Sequence, residues 1–147
     1  MTVQFSTGLL THNAVTGSKK AALDGGFLFY FSGPVPASAD AAVDGTTVML
    51  AKISLTGGAT GLTFEATAPG GILSKTAAEA WQCTSAAATG TATFFRFCDS
   101  ADAGTALSTT AKRIQGTLGT TMASDGQLVS TAITAGQALD VPLFQVS

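Results

Sequence analysis

A mainly β fold is predicted here: one domain of β-sandwich or jelly-roll type, with one or two short helical turns. Three observations predict it. Short runs of β-branched and aromatic residues recur along the chain, separated by Gly, Pro and Asp turn signals. Stretches with helical periodicity are few and brief. Most telling is Phe27-Leu28-Phe29-Tyr30-Phe31, an unbroken apolar run too short to span a membrane. A strand without alternation is covered on both faces, by the core on one side and by a neighbouring element or subunit on the other.

The 147 residues suit a single domain with a real core, read as residues 18–147, preceded by an N-terminal arm or edge strand at 1–17. Apolar residues make up 46% and charged residues only 11%, less than half the usual share, with Ala, Thr, Gly and Ser filling the difference. Such a neutral, small-featured surface suits a subunit whose exterior is spent on contacts with neighbours. A Thr/Ser-rich secreted or thermostable domain is the plainer alternative. The net charge of −2 and scattered basic residues leave no electrostatic footprint for nucleic acid. Neither a membrane span nor a secretory leader is evident, so synthesis and folding in the cytoplasm are expected.

Along the chain, Val3, Phe5, Leu9 and Leu10 form the apolar pattern of the arm or edge strand. Ser18 reads as the N-cap of a short helix at Lys19–Leu23, with Gly25 where helices end. Phe27–Phe31 is the central strand. Gly33-Pro34-Val35-Pro36 is a rigid loop, because two prolines fix φ and remove donors, and a helical turn is expected at 39–43. Residues 46–55 alternate with a slip near Ala51 and Lys52, the pattern of a bulge. Short strands are expected at 62–66, 71–73 and 81–83. In the strong strand at 91–98, Phe95 and Phe97 face one way and Phe94, Arg96 and Cys98 the other. The last third reads as a β-meander: 112–118, a turn at 119–126, 127–134, then 138–146 with Pro142 marking an edge or bulge.

No catalytic constellation emerges, and no metal or cofactor is expected. His12 stands alone in a polar stretch and reads as a surface or interface residue. No serine lies in a nucleophile elbow, and the glycine pairs lack the context of a phosphate loop. Asp99 and Asp102 are too few to hold Ca²⁺ and read as a solvated loop. Trp81 reads as partly buried packing, with a sugar-stacking platform or an interface anchor as the sharper alternatives. Arg96 reads as an outward strand residue, with pairing across an interface or stacking on a ring the alternatives. Cys83 and Cys98 read as two buried thiols, the alternative being a pair on adjacent strands.

Several stretches carry a resemblance. Leu23-Asp24-Gly25-Gly26-Phe27 through Tyr30, Ser32-Gly33-Pro34 and Pro36-Ala37-Ser38-Ala39-Asp40-Ala41-Ala42-Val43-Asp44-Gly45-Thr46 come first. Gly61-Leu62-Thr63-Phe64, Gly71-Ile72-Leu73-Ser74-Lys75 and Ala78-Glu79-Ala80-Trp81 follow. Residues 90–97 with Asp99, Ala101-Asp102 and Gly104, then Gly116-Thr117-Leu118-Gly119-Thr120 and Ile133-Thr134-Ala135-Gly136, complete the set. Together they resemble a family of small virion proteins of tailed bacteriophages, although Cys98 stands where that family carries an apolar or aromatic residue. The resemblance implies a non-enzymatic capsid decoration or cement protein that binds the head surface of the virion. Its implied partners are the major capsid protein and further copies of itself, as a homotrimer. The alternatives are a tail, neck or baseplate component, or a module for host-surface glycans built on Trp81 and residues 99–104. The contact residues expected are Val3, Phe5, Leu9 and Leu10 in the arm, and Pro34, Val35, Pro36 and Val43 in the loop.

Overall fold

The computed structural model describes residues 3–121 and 123–147. Met1 and Thr2, within the expected arm or edge strand at 1–17, and Met122, within the expected turn at 119–126, lie outside these residues. The elements begin with β1 (Gln4–Phe5), α1 (Thr7–Val15), α2 (Lys19–Leu23), β2 (Phe27–Phe31), β3 (Met49–Leu55) and a 3₁₀ turn at Pro69–Gly71. There follow β4 (Leu73–Ser74), β5 (Trp81–Cys83), β6 (Gly90–Thr91), β7 (Phe94–Cys98) and β8 (Arg113–Gly119). The chain ends through β9 (Gly126–Gln127), β10 (Ala132–Ile133), β11 (Leu139–Asp140) and β12 (Gln145–Val146). The fold is mainly β and sandwich-like, as the run patterns predict.

One sheet carries the architecture. Its strands lie in the order β1-β8-β7-β2-β3-β5-β11, with β9 added in parallel to β8. β2 sits centrally and pairs antiparallel with β7 and β3. Alternation along these strands sorts side chains onto two faces. Leu28 and Tyr30 of β2, Phe95 and Phe97 of β7, and Ile114 and Leu118 of β8 join the main core. Trp81 of β5 joins the same core, and Leu62, Phe64, Leu73, Val141 and Val146 complete it from outside this sheet. On the opposite face, Phe29, Phe31, Phe94 and Cys98 form a smaller apolar cluster. The run Phe27–Phe31 is therefore covered on both faces by its own chain, the second of them by loops. At 25 cal/mol per Å² of apolar area removed from water, each aromatic ring so enclosed stabilises the fold by roughly 2–3 kcal/mol.

The slip expected near Ala51 and Lys52 is a bulge one residue earlier. Tyr30 pairs with Ala51 but Phe31 with Met49, leaving Leu50 as the extra residue. Leu50 and Ala51 consequently both reach the main core. At α2 the Ser18 hydroxyl accepts a hydrogen bond from the Ala21 amide (3.1 Å), and Gly25 follows with φ +83°. Gly26 is needed for a different reason: a Cβ there would overlap the Cys98 carbonyl oxygen of β7.

Three expectations are corrected. Of the arm-or-edge-strand expectation, the edge strand holds at β1 alone; the segment after it is the helix α1, whose Leu9 is fully buried. Its sequence, with a glycine, two threonines and a valine, has weak helix propensity, and tertiary anchors override that. The Ser6 hydroxyl accepts from the Leu9 amide (3.2 Å) and the Arg113 amide (2.8 Å) and donates to the Ala111 carbonyl (2.8 Å). Residues 39–43 form bends and a turn rather than a helical turn. The last third is not a meander: only β8 is long, while β9, β10, β11 and β12 pair with β8, β6, β5 and β4 respectively.

Candidate functional site

The most elaborated part of the molecule is the outer face of β7 and β8, where residues 33–45 are tied down over the sheet. Alternation places Arg96, Arg113 and Gln115 on this face, and all three are buried. Arg96 pairs in register with Gln115, and its Nε donates to Gln115 Oε1 at 2.8 Å. The rest of the guanidinium donates to the carbonyls of Gly104 (2.6 Å), Ala41 (2.8 Å) and Ser38 (3.2 Å). Arg113 donates to both oxygens of Asp102 (2.5 and 2.9 Å) and to the Ala39 carbonyl (3.2 Å). The Gln115 amide donates to the Pro36 carbonyl (2.9 Å) and to Gln4 Oε1 (2.8 Å). The carbonyls of Pro36, Ser38, Ala39 and Ala41 thus all receive bonds from three strand side chains. That satisfies backbone groups which would otherwise be orphaned beneath a loop without secondary structure.

Electrostatics hold this clamp in its charged form. Burial pushes the Asp102 carboxyl upward, but hydrogen bonds from Arg113 and from the Gly104 amide outweigh it and hold Asp102 below the usual carboxylate range. Burial, and then the neighbouring Arg113, pull the Arg96 guanidinium down to about 10, still charged at neutral pH. Beside them the Cys98 thiol is pushed well above its ordinary value, first by burial and next by the Asp102 charge. Asp40 fastens the loop to the N-terminal segment by accepting from the Thr7 amide (2.9 Å) and hydroxyl (2.5 Å).

The expected contact residues separate into three groups. Val35 and Pro36, with exposed Pro34 beside them, stand at a shallow pocket of about 250 Å³ whose other walls are Gln4, Ala37, β8 and Asp125. The arm and the loop therefore meet, as Gln4 also donates to the Ala37 carbonyl (3.2 Å). Val3, Phe5 and Val43 are half-buried against the chain's own apolar clusters. Leu9 is corrected: it is 0% exposed and belongs to the core, whereas its neighbour Leu10 is 52% exposed on α1.

Other expectations change with burial. Trp81 is 0% exposed, edge-to-face with Phe64 and tilted against Phe97 and Phe144, with its indole N–H donating to Glu79 (2.8 Å). No ring face remains for a sugar. Arg96 faces away from the main core as expected but is enclosed rather than solvated. Asp102 is an ion-pair partner, and Asp99 caps its own loop by accepting from the Ala101 (3.0 Å) and Lys112 (2.9 Å) amides. His12 is half-buried on α1, and its Nε2 has no hydrogen-bond partner among the described residues. Cys83 and Cys98 are free and buried, one in each apolar cluster, so the sheet separates them.

Sequence reasoning missed the clamp. Its signal was present, since a central strand with no polar residue requires its neighbours to be covered as well, which turns Arg96 and Arg113 into buried arginines seeking carbonyls. Among the described residues no cluster of three or more His, Cys, Asp or Glu side chains gathers, and no helix is long and apolar enough to cross a membrane. Compared with known proteins, the chain matches no family model, no curated protein and no solved structure.

Proposed function

We propose that this protein is a structural subunit of a tailed-bacteriophage virion, a decoration or cement protein that lies on the capsid surface. It would work by contact rather than by chemistry, with the major capsid protein and its own copies, in threefold clusters, as partners. The observation that carries this reading is the clamped loop. Four of its carbonyls are held by Arg96, Arg113 and Gln115, so Pro34 and Val35 are displayed on a surface that has already lost its conformational freedom. A preorganised surface spends little ordering entropy on docking, which matters most when modest contacts are repeated many times over a shell. A surface with few charges fits the same role. The glycan-binding alternative has lost its platform with the burial of Trp81.

The test is to tag the protein in phage particles, image them by electron cryomicroscopy and count copies by quantitative mass spectrometry. A regular array on the head, on the order of hundreds of copies per particle, is expected. A few to tens of copies at the tail, neck or baseplate would replace this reading with a tail-component one, and absence from particles would end it.

A further inference from the structure

A cleft of about 430 Å³ opens on the main-core side of the sheet, between the floor formed by β2, β7 and β8 and a cover formed by residues 125–128 and 140–146. Leu28, Phe95, Ile114 and Leu118 line the floor, and Leu128 and Phe144 line the cover. Its volume lies in the range of small-molecule sites, and its walls are mostly apolar, with Asp125, Gln127, Asp140 and Gln145 as the polar exceptions. Tyr30 also stands on the floor. It is the only tyrosine in the chain, it is 4% exposed, and its hydroxyl makes no hydrogen bond to any described residue. The ring is buried while the residue lines the cleft, so the hydroxyl is available there to a ligand that brings an acceptor. The charged groups lining the cleft are Asp125 and Asp140, with no Lys or Arg among them. Asp125 is already occupied, accepting from the Thr117 amide (2.9 Å).

We infer that this cleft binds a neutral amphiphile, an alkyl or single-ring molecule whose one oxygen accepts a hydrogen bond from Tyr30 while its apolar body lies along Leu28, Phe95 and Leu118. The two carboxylates select against anionic head groups such as fatty acids. The assignment is independent of the virion reading, because cleft and clamp lie on opposite faces of the sheet.

The experiment uses the purified full chain, with phenylnaphthylamine as a neutral fluorescent probe displaced by decanol or by decanoate. Saturable probe binding is expected, with decanol displacing it at lower concentration than decanoate. In Tyr30→Phe the decanol affinity should fall about fivefold, the equivalent of one neutral hydrogen bond, while the far-ultraviolet spectrum is unchanged. Should that variant not fold, ring-labelled tyrosine in the natural chain supplies a single resonance that decanol must shift. Absence of saturable binding, stronger displacement by decanoate, or an unmoved tyrosine resonance at saturating decanol would overturn the proposal.

Discussion

Asp102 and Arg113 form the pair on which the outer face depends, with Arg113 side chain 1% and Asp102 15% exposed. Removing the carboxylate strands a buried guanidinium, so Asp102→Asn should cost about 3 kcal/mol in urea unfolding. The same pair sets an acid dependence. Asp102 titrates below its ordinary 3.8 in the fold, so its contribution is fully present above that value and is lost as pH falls through the depressed folded one. The natural protein should therefore lose stability more steeply below about pH 4 than Asp102→Asn does. Tyr30 gives the opposite sign. Burial raises its phenol well above 10.0, so its stabilising contribution holds up to that pH and is lost as pH climbs further. Tyrosinate absorbance should stay flat past the ordinary range and rise only with unfolding. Neither environment was legible from the residue alone: the mark of a covered Arg113 lay in the apolar strand beside its own sheet neighbours, and Tyr30 carried none.

Elements were legible in proportion to how far local pattern alone determined them. β2 and β7 were readable because uninterrupted aromatic runs leave few alternatives, and the division of Phe94 and Phe95 between faces follows from alternation alone. α2 was readable from Ser18 and Gly25. α1 was not, since a helix with Gly8, Thr7 and Val15 exists only because Ser6 and Leu9 are held by β8, a contact about a hundred residues away in sequence. The last third failed for the same reason: two-residue strands such as β10 and β12 are defined by the partner they find. The loop at 33–45 owes its shape to Arg96, which yields a test at this scale. Replacing it, as Arg96→Leu, frees the Ser38, Ala41 and Gly104 carbonyls at once. Amide exchange across residues 38–43 should then accelerate at least tenfold, whereas β2, shielded on both faces, keeps its protection. Equal acceleration in both would mean that the clamp supports the whole sheet instead of the loop.

For the molecule as a whole, the decisive property is how it would hold to a surface while carrying so few charges. Attachment through ion pairs weakens as added salt shortens the screening length from about 10 Å at 0.1 M to about 3 Å at 1 M. With 11% charged residues and a net charge of −2, this surface has little to lose by screening. Contact would instead rest on apolar and backbone groups, of which Val35, 39% exposed, is the large hydrophobic side chain that the clamped loop leaves open. Occupancy of capsids lacking this protein, measured by adding it back and sedimenting the particles, is accordingly expected to survive a rise from about 0.1 M to about 1 M salt. Val35→Asp should lower that occupancy at least tenfold, because a carboxylate would be desolvated at the contact, while leaving the unfolding free energy within about 0.5 kcal/mol. Release by salt with Val35→Asp still bound would instead place attachment on the charged residues, and the clamped loop would then be a structural brace with no part in docking.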